Sequence, residues 1–258
     1  MLARQTEPVA RHVRDDHTWW LKKAAAPRSQ VPYRILGLLA RLLRLQALVP
    51  VPNPGGPTAV ATEVRRLREL AALGLRVPAV LAVEAEGFLM ADLGAHGQPT
   101  PSLAEEMNEN TTRDPQKVLA LFCQGLEAVG RVHAAGTCLS QGFARNLVRC
   151  PDGEIGFVDF EDDPAAVLPL RQCQLRDVLC YVHSSAIYLW QAGMLEQARP
   201  LWRAWLERQP ADLQVLVEGG ARRMRWLRRL PQDRSWGRDL QCARNAWALV
   251  MAGEARRG

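Results

Sequence analysis

Two hydrophobic periodicities divide the chain. Near the N-terminus apolar and polar residues alternate over short runs; beyond residue 102 apolar residues recur every three or four positions. Residues 7–25 read as short strands. Val9 and Val13 mark the first, and His17 to Ala24 the second, where Trp and Thr favour a pleated, half-buried surface. Asp15-Asp16 supplies the turn between them. Residues 33–48 read as a helix with Arg34, Arg41 and Arg44 on one side and Leu36, Leu39 and Leu43 on the other. The prolines and glycines of 50–57 force a loop. A helix from about Thr58 to Leu73 follows, its apolar face made by Val60, Val64, Leu67, Leu70 and Ala71, with Gly74 placed as its C-terminal cap. Ala79 to Glu84 and Gly87 to Asp92 are two further strands, and 97–101 reads as a linker. After it come a long amphipathic helix from Pro115 to Ala135, a non-helical segment over 137–164 with a hairpin turn at Pro151-Asp152-Gly153-Glu154, and helices over 171–192, 194–208, 211–230 and 235–252. The expected class is α+β, with a small β-rich lobe over 1–94, helix 33–48 inserted in it, and a larger, mainly helical lobe over 95–258.

Composition narrows the picture. The chain has 258 residues, 48% hydrophobic and 23% charged, which excludes a disordered, collagenous or disulfide-stapled chain. Six cysteines without a C-x-x-C pair sit mostly in apolar runs, as buried thiols in a reducing compartment do. Residues 1–16 lack an apolar signal core, and Arg41 and Arg44 interrupt the longest apolar stretch, so the expected location is cytoplasmic. The net charge is +6, yet only three of the 33 basic residues are lysines: Lys22, Lys23 and Lys117.

Three features carry candidate chemistry. A lysine, Lys22 or Lys23, ends a strand, and a downstream helix carries Glu63. Asn146 lies in the loop Gln141-Gly142-Phe143-Ala144-Arg145-Asn146. The strand Ile155 to Val158 then delivers Asp159-Phe160-Glu161. A hairpin between Asn146 and Asp159 would bring an amide oxygen and a carboxylate together as hard ligands for Mg²⁺.

These residues, together with His133-Ala134-Ala135-Gly136 at a helix end, resemble the protein-kinase-like superfamily over roughly residues 17–185. The pattern looks most like the small bacterial lipopolysaccharide (Kdo/heptose) kinases and the aminoglycoside-phosphotransferase-like kinases. The resemblance implies a two-lobed protein-kinase-like fold that uses ATP and Mg²⁺. Lys22 would bind the α/β-phosphates, with Lys23 as the alternative because strand alternation turns only one inward, and Glu63 would be its ion-pair partner. Met90, Ala91 and Leu93 would form the hinge beside the adenine. Asn146 and Asp159 would be the metal ligands, and His133 and Asp177 structural supports, Asp177 steadying the catalytic loop.

Two departures from the family stand out. Gln141 occupies the position of the catalytic Asp, and a neutral amide cannot take a proton from a hydroxyl. The 21 residues before Lys22 contain no glycine, so no Gly-rich flap covers the phosphates. Glu161 and Asp162 are the carboxylates that could replace the missing base. The resemblance thus implies a phosphotransferase acting on a hydroxyl, with a sugar of a lipopolysaccharide-type membrane glycolipid as the leading acceptor. The rival reading is a pseudokinase, a scaffold or nucleotide-binding switch without catalysis. Helix 33–48 either packs its leucines in the core or lies on an anionic membrane, which would place the protein at the inner membrane face. The run Arg222-Arg223-Met224-Arg225-Trp226-Leu227-Arg228-Arg229 invites a nucleic-acid reading, but Met224, Trp226 and Leu227 suggest instead a packed helix with a basic outer face, able to attract a phosphorylated or lipid-linked acidic substrate.

Overall fold

The computed structural model describes residues 5, 7–14, 17–25, 51, 55–94, 98, 100–231, 234, 235 and 237–251. The helix expected over 33–48, the turn at Asp15-Asp16, Pro52 to Pro54 of the Pro/Gly loop, and Gly97 and Pro99 of the 97–101 linker lie outside them. The described chain is α+β: an antiparallel sheet near the N-terminus, then helices. It divides into two compact units. One comprises 1–101, 139–141 and 148–169; the other comprises 102–138, 142–147 and 170–258. The segment carrying Asp159 therefore clusters with the sheet and not with the helices that follow it.

In the first unit, strands β1 (Val9–Arg14), β2 (His17–Lys23), β3 (Val80–Glu84) and β4 (Gly87–Ala91) form an antiparallel sheet in the order β1-β2-β4-β3. Lys22 of β2 pairs with Val9 on one side and Phe88 on the other, so the lysine sits on an inner strand. Between β3 and β4 the register slips: Val80 faces Met90, but Ala82 faces Leu89, leaving Leu81 as an extra residue in the edge strand. Helix α1 (Gly56–Ala72) begins two residues earlier than its apolar pattern suggests, because Pro57 fits the first turn and Gly55 takes a φ of 71° before it. Val60, Val64, Leu67 and Leu70 are buried, and Glu63 lies on that same stripe, 2% exposed. Gly74 closes the helix with φ 74°, and its N–H bonds the Ala71 carbonyl at 3.0 Å. A short hairpin, β5 (Leu147–Arg149) and β6 (Ile155–Phe157), turns through Gly153 at φ 84°. The Phe157 N–H donates to the Arg76 carbonyl at 2.9 Å, tying the strand to the segment after α1.

The second unit is helical: α2 (Leu103–Asn110), α3 (Pro115–Ala134), α4 (Leu170–Gln191), α5 (Leu195–Glu207), α6 (Ala211–Arg223) and α7 (Arg238–Val250). A capping box starts α2: Ser102 Oγ accepts from the Glu105 N–H, and the Glu105 carboxylate accepts from the Ser102 N–H at 2.8 Å. Helices α3 and α4 approach so closely at Gly125 that a Cβ there would stand 2.0 Å from the Tyr181 hydroxyl. Trp202 and Trp205 stack at 5.5 Å and are both buried. The helix expected over 211–230 is shorter than its pattern. It stops at Arg223, and Arg225–Arg229 continue as a 3-10 turn. Gly219 and Gly220 weaken the α-helix, and Pro231 forbids its extension. Among the described residues no helix is long and apolar enough to cross a membrane. The six cysteines are free thiols, four of them buried.

Candidate functional site

The candidate site in the sheet-bearing unit is built on Lys22. Alternation along β2 turns Lys22 and Lys23 to opposite faces. Lys23 Nζ donates to the Gln5 carbonyl at 2.8 Å. Lys22 Nζ instead meets three carboxylates: Glu63 Oε2 at 2.7 Å, Glu161 Oε1 at 3.0 Å and Asp159 Oδ1 at 3.4 Å. An ammonium has three hydrogens, so each has a carboxylate to meet. Glu63 is held in place from a second direction, because the Phe160 N–H donates to its Oε1 at 3.3 Å. The Asp-Phe-Glu segment thus grips the helix glutamate by its backbone and the strand lysine by its two carboxylates.

Electrostatics follow from this packing. Burial works against the charge on Lys22, but Glu63, Asp159 and Glu161 outweigh it and hold the lysine above its ordinary pKa. Burial pushes the Glu63 carboxyl up, opposed by Lys22. The lysine is therefore a fixed positive charge at any physiological pH.

Asp159 is the one non-glycine residue at positive φ among those described, at 70°. Aspartate tolerates this left-handed conformation better than most residues. The backbone is therefore not extended at Asp159, and simple alternation does not govern which way Glu161 faces. Both carboxylates reach Lys22 all the same.

Gln141 has a defined partner: its Nε2 donates to Asp162 Oδ2 at 2.9 Å. The preceding residue, Ser140, fully buried, donates through Oγ to the Asp162 carbonyl. Asp162, 6% exposed, is thus held at backbone and side chain by consecutive residues. Of the two carboxylates offered in place of a catalytic base, Glu161 is engaged with Lys22 and Asp162 with Gln141.

The residues expected at the hinge end the sheet. Met90 pairs with Trp20 and Val80, the Ala91 N–H donates to the Ala79 carbonyl at 2.8 Å, and the Gly94 N–H donates to Asp92 Oδ1 at 3.2 Å. Ala91 and Leu93, with Arg76, Val77 and Cys150, line an open cavity of about 620 Å³; Met90 and Lys22 do not line it.

Within the helical unit, His133 Nε2 lies 3.2 Å from Asp177 Oδ2, and both residues are buried. A Cβ on Gly142 would fall 2.7 Å from the Asp177 carbonyl oxygen, a backbone atom that cannot swing away. Only glycine fits there. Asn146 ends a 3-10 turn, Ala144–Asn146; its N–H bonds the Phe143 carbonyl at 2.8 Å and the residue is 6% exposed.

Sequence reasoning did not single out Ser140 or Gly142. Their only sequence signal is position: they flank Gln141 directly.

No protein-family model matches the chain, and no curated protein matches it. Among solved structures it is similar to ROP2 from Toxoplasma gondii, described as a virulence factor with a protein-kinase fold and no enzymatic activity. The two share 15% identity over 96% of this chain and 80% of that one, with a TM-score of 0.38.

Proposed function

We propose that this protein is a kinase-like phosphotransferase that uses ATP and Mg²⁺ to phosphorylate a hydroxyl group. One observation carries the reading: a strand lysine, nearly buried, is ion-paired at 2.7 Å with a glutamate on the apolar face of the following helix. A buried pair of this kind is costly to maintain and weak as a source of stability. A phosphate-binding role accounts for its retention. In this reading Lys22 binds the α/β-phosphates and Glu63 fixes its Nζ in position.

In this reading a Mg²⁺ ion would be held by Asp159, with Glu161 as a further oxygen donor, since carboxylates offer the hard oxygen atoms that Mg²⁺ prefers; Asn146 is a candidate ligand on the motif resemblance alone. Among the described residues no group of three or more His, Cys, Asp or Glu side chains is arranged to hold a metal. When bound, Mg²⁺ would neutralise charge on the phosphates. Gln141, oriented by Asp162, would position the acceptor hydroxyl through a hydrogen bond without taking its proton. The acceptor we favour is a sugar hydroxyl on a lipopolysaccharide-type glycolipid, on the motif resemblance alone.

The pseudokinase reading draws on one feature, Gln141 in place of the base with its amide bound to Asp162. Thermal melting with ATP, with and without Mg²⁺, tests both. A ligand at a hundredfold excess over its Kd adds about 2.7 kcal/mol to the native state, an upward shift of roughly 5–10 °C for a chain of this size. Asp159→Asn keeps the left-handed backbone accessible while removing the charge, so it should abolish the Mg²⁺-dependent part of the shift and leave the ATP-free melting temperature nearly unchanged. No shift at millimolar ATP removes the phosphotransferase reading. Binding without turnover on any acceptor supports the pseudokinase.

A further inference from the structure

The chain leaves α6 at Arg223 and continues as a 3-10 turn over Arg225–Arg229. A 3-10 helix has three residues per turn, so residues three apart lie above one another. One row, Met224, Leu227 and Leu230, faces inward, with Leu227 only 3% exposed. The other two rows are Arg225 with Arg228 and Trp226 with Arg229. All four of these residues are exposed. Arg222 and Arg223, in the last turn of α6, are exposed as well, and Arg222 is paired with Glu218 at 3.1 Å.

Trp226 departs from the sequence expectation. It is not packed in the core but 52% exposed, and it is the single exposed tryptophan among the described residues. A burial role therefore does not explain it. Its place among outward guanidinium groups does suggest a partner.

We propose that this arginine–tryptophan ridge is a contact surface for an anionic phospholipid bilayer. Guanidinium groups match phosphate geometry with paired hydrogen bonds. An anionic leaflet attracts each basic side chain near its surface. An indole with one apolar body and one N–H donor prefers the boundary between headgroups and acyl chains. A single-stranded nucleic acid, the other polyanion of suitable charge, binds best to a groove carrying successive aromatic platforms. This ridge presents one indole on an outward turn. The surface lies in the helical unit and is independent of Lys22, ATP and Mg²⁺.

Co-sedimentation with vesicles tests the proposal, using phosphatidylcholine alone and an equal mixture of phosphatidylcholine and phosphatidylglycerol. The wild-type protein is expected to sediment with the mixed vesicles only, and to be released by high salt. Arg225→Glu/Arg228→Glu/Arg229→Glu should lose at least roughly tenfold in apparent affinity, since charge attraction to the leaflet becomes repulsion. Trp226→Ala should weaken binding at every salt concentration, because the indole contribution is not screened. These side chains are exposed, so both variants should melt as the wild type does. Should the triple variant not fold, Arg228→Gln alone and the salt dependence of the wild type answer the same question. Equal sedimentation with neutral and anionic vesicles, or full retention by the triple variant, overturns the proposal. So does tighter binding to a single-stranded oligonucleotide, if that binding is lost in the same variants.

Discussion

At the scale of single residues, Lys22 and Glu63 are not equivalent members of their pair. Lys22→Met leaves Glu63 buried with no cation beside it, and breaking a buried pair in that way costs about 3–5 kcal/mol. Glu63→Gln leaves Lys22 with Asp159 and Glu161, both within 3.4 Å. Urea denaturation should therefore show the larger loss for Lys22→Met, and a larger loss for Glu63→Gln would mean that the glutamate, not the lysine, organises the cluster. In the sequence this pair was expected through the motif resemblance, not from the helix pattern. In the structure Glu63 interrupts an apolar helical stripe running from Val60 through Val64 and Leu67, a place where a carboxylate needs a partner. The choice between Lys22 and Lys23 was not legible, since alternation says only that they face apart; Gln5 and the Asp-Phe-Glu segment decide it from elsewhere in the chain.

His183 gives a residue-level pH dependence. Burial lowers its pKa below 6.5, although its ring nitrogen lies 3.3 Å from the Asp239 carbonyl. Just below pH 6.5 the unfolded chain binds a proton that the folded chain resists, so stability should fall as pH drops through that window and level off below the folded value. Above pH 6.5 the residue contributes no slope. Melting temperatures of wild type and His183→Gln between neutral and mildly acidic pH should converge toward the acid side. Parallel curves would assign the acid sensitivity to other groups.

At the scale of elements, glycines in two helices have opposite roles. Gly125 is where α3 and α4 touch, and a methyl group there collides with the Tyr181 hydroxyl, which is itself bonded to the Phe122 carbonyl at 2.9 Å. Gly125→Ala should cost at least about 1–3 kcal/mol, the range for overpacking a filled core. Gly219 lies inside α6 with no atom within 4 Å of an added Cβ. Gly219→Ala should stabilise by about 0.5–1 kcal/mol through helix propensity. Chemical denaturation of the two variants should move in opposite directions; a loss for both would mean that α6 needs its glycine. Long amphipathic elements such as α3 were readable from periodicity, which is a local property. The end of α6 was not, because the pattern of Met224, Leu227 and Leu230 satisfies both a helix of 3.6 residues per turn and one of three. Helix α2 carried its capping box in plain view at Ser102 and Glu105, but eight residues give periodicity little to work on.

At the scale of the whole molecule, the α+β class followed from the order of patterns along the chain. The membership of the Asp159 segment did not. Residues 148–169 belong with the sheet through contacts such as Phe157 to Arg76, and no local signal announces a partner some eighty positions away. Strand β3 has a further consequence at this scale. It forms one edge of the sheet and exposes Leu81 and Val83, a combination that invites a second copy of the chain to pair with it. The extra residue at Leu81 spoils that edge as a template, since a slipped register cannot match a straight strand hydrogen bond for hydrogen bond. Deleting Leu81 would restore an even ladder and also reverse the faces of the residues before it. Concentrated solutions of the deletion variant should gain light scattering and thioflavin fluorescence on storage while those of the wild type stay clear, whereas a variant that stays equally clear would show that the edge is guarded by something else. On this view one surplus residue in a short strand governs how long the protein keeps in the tube.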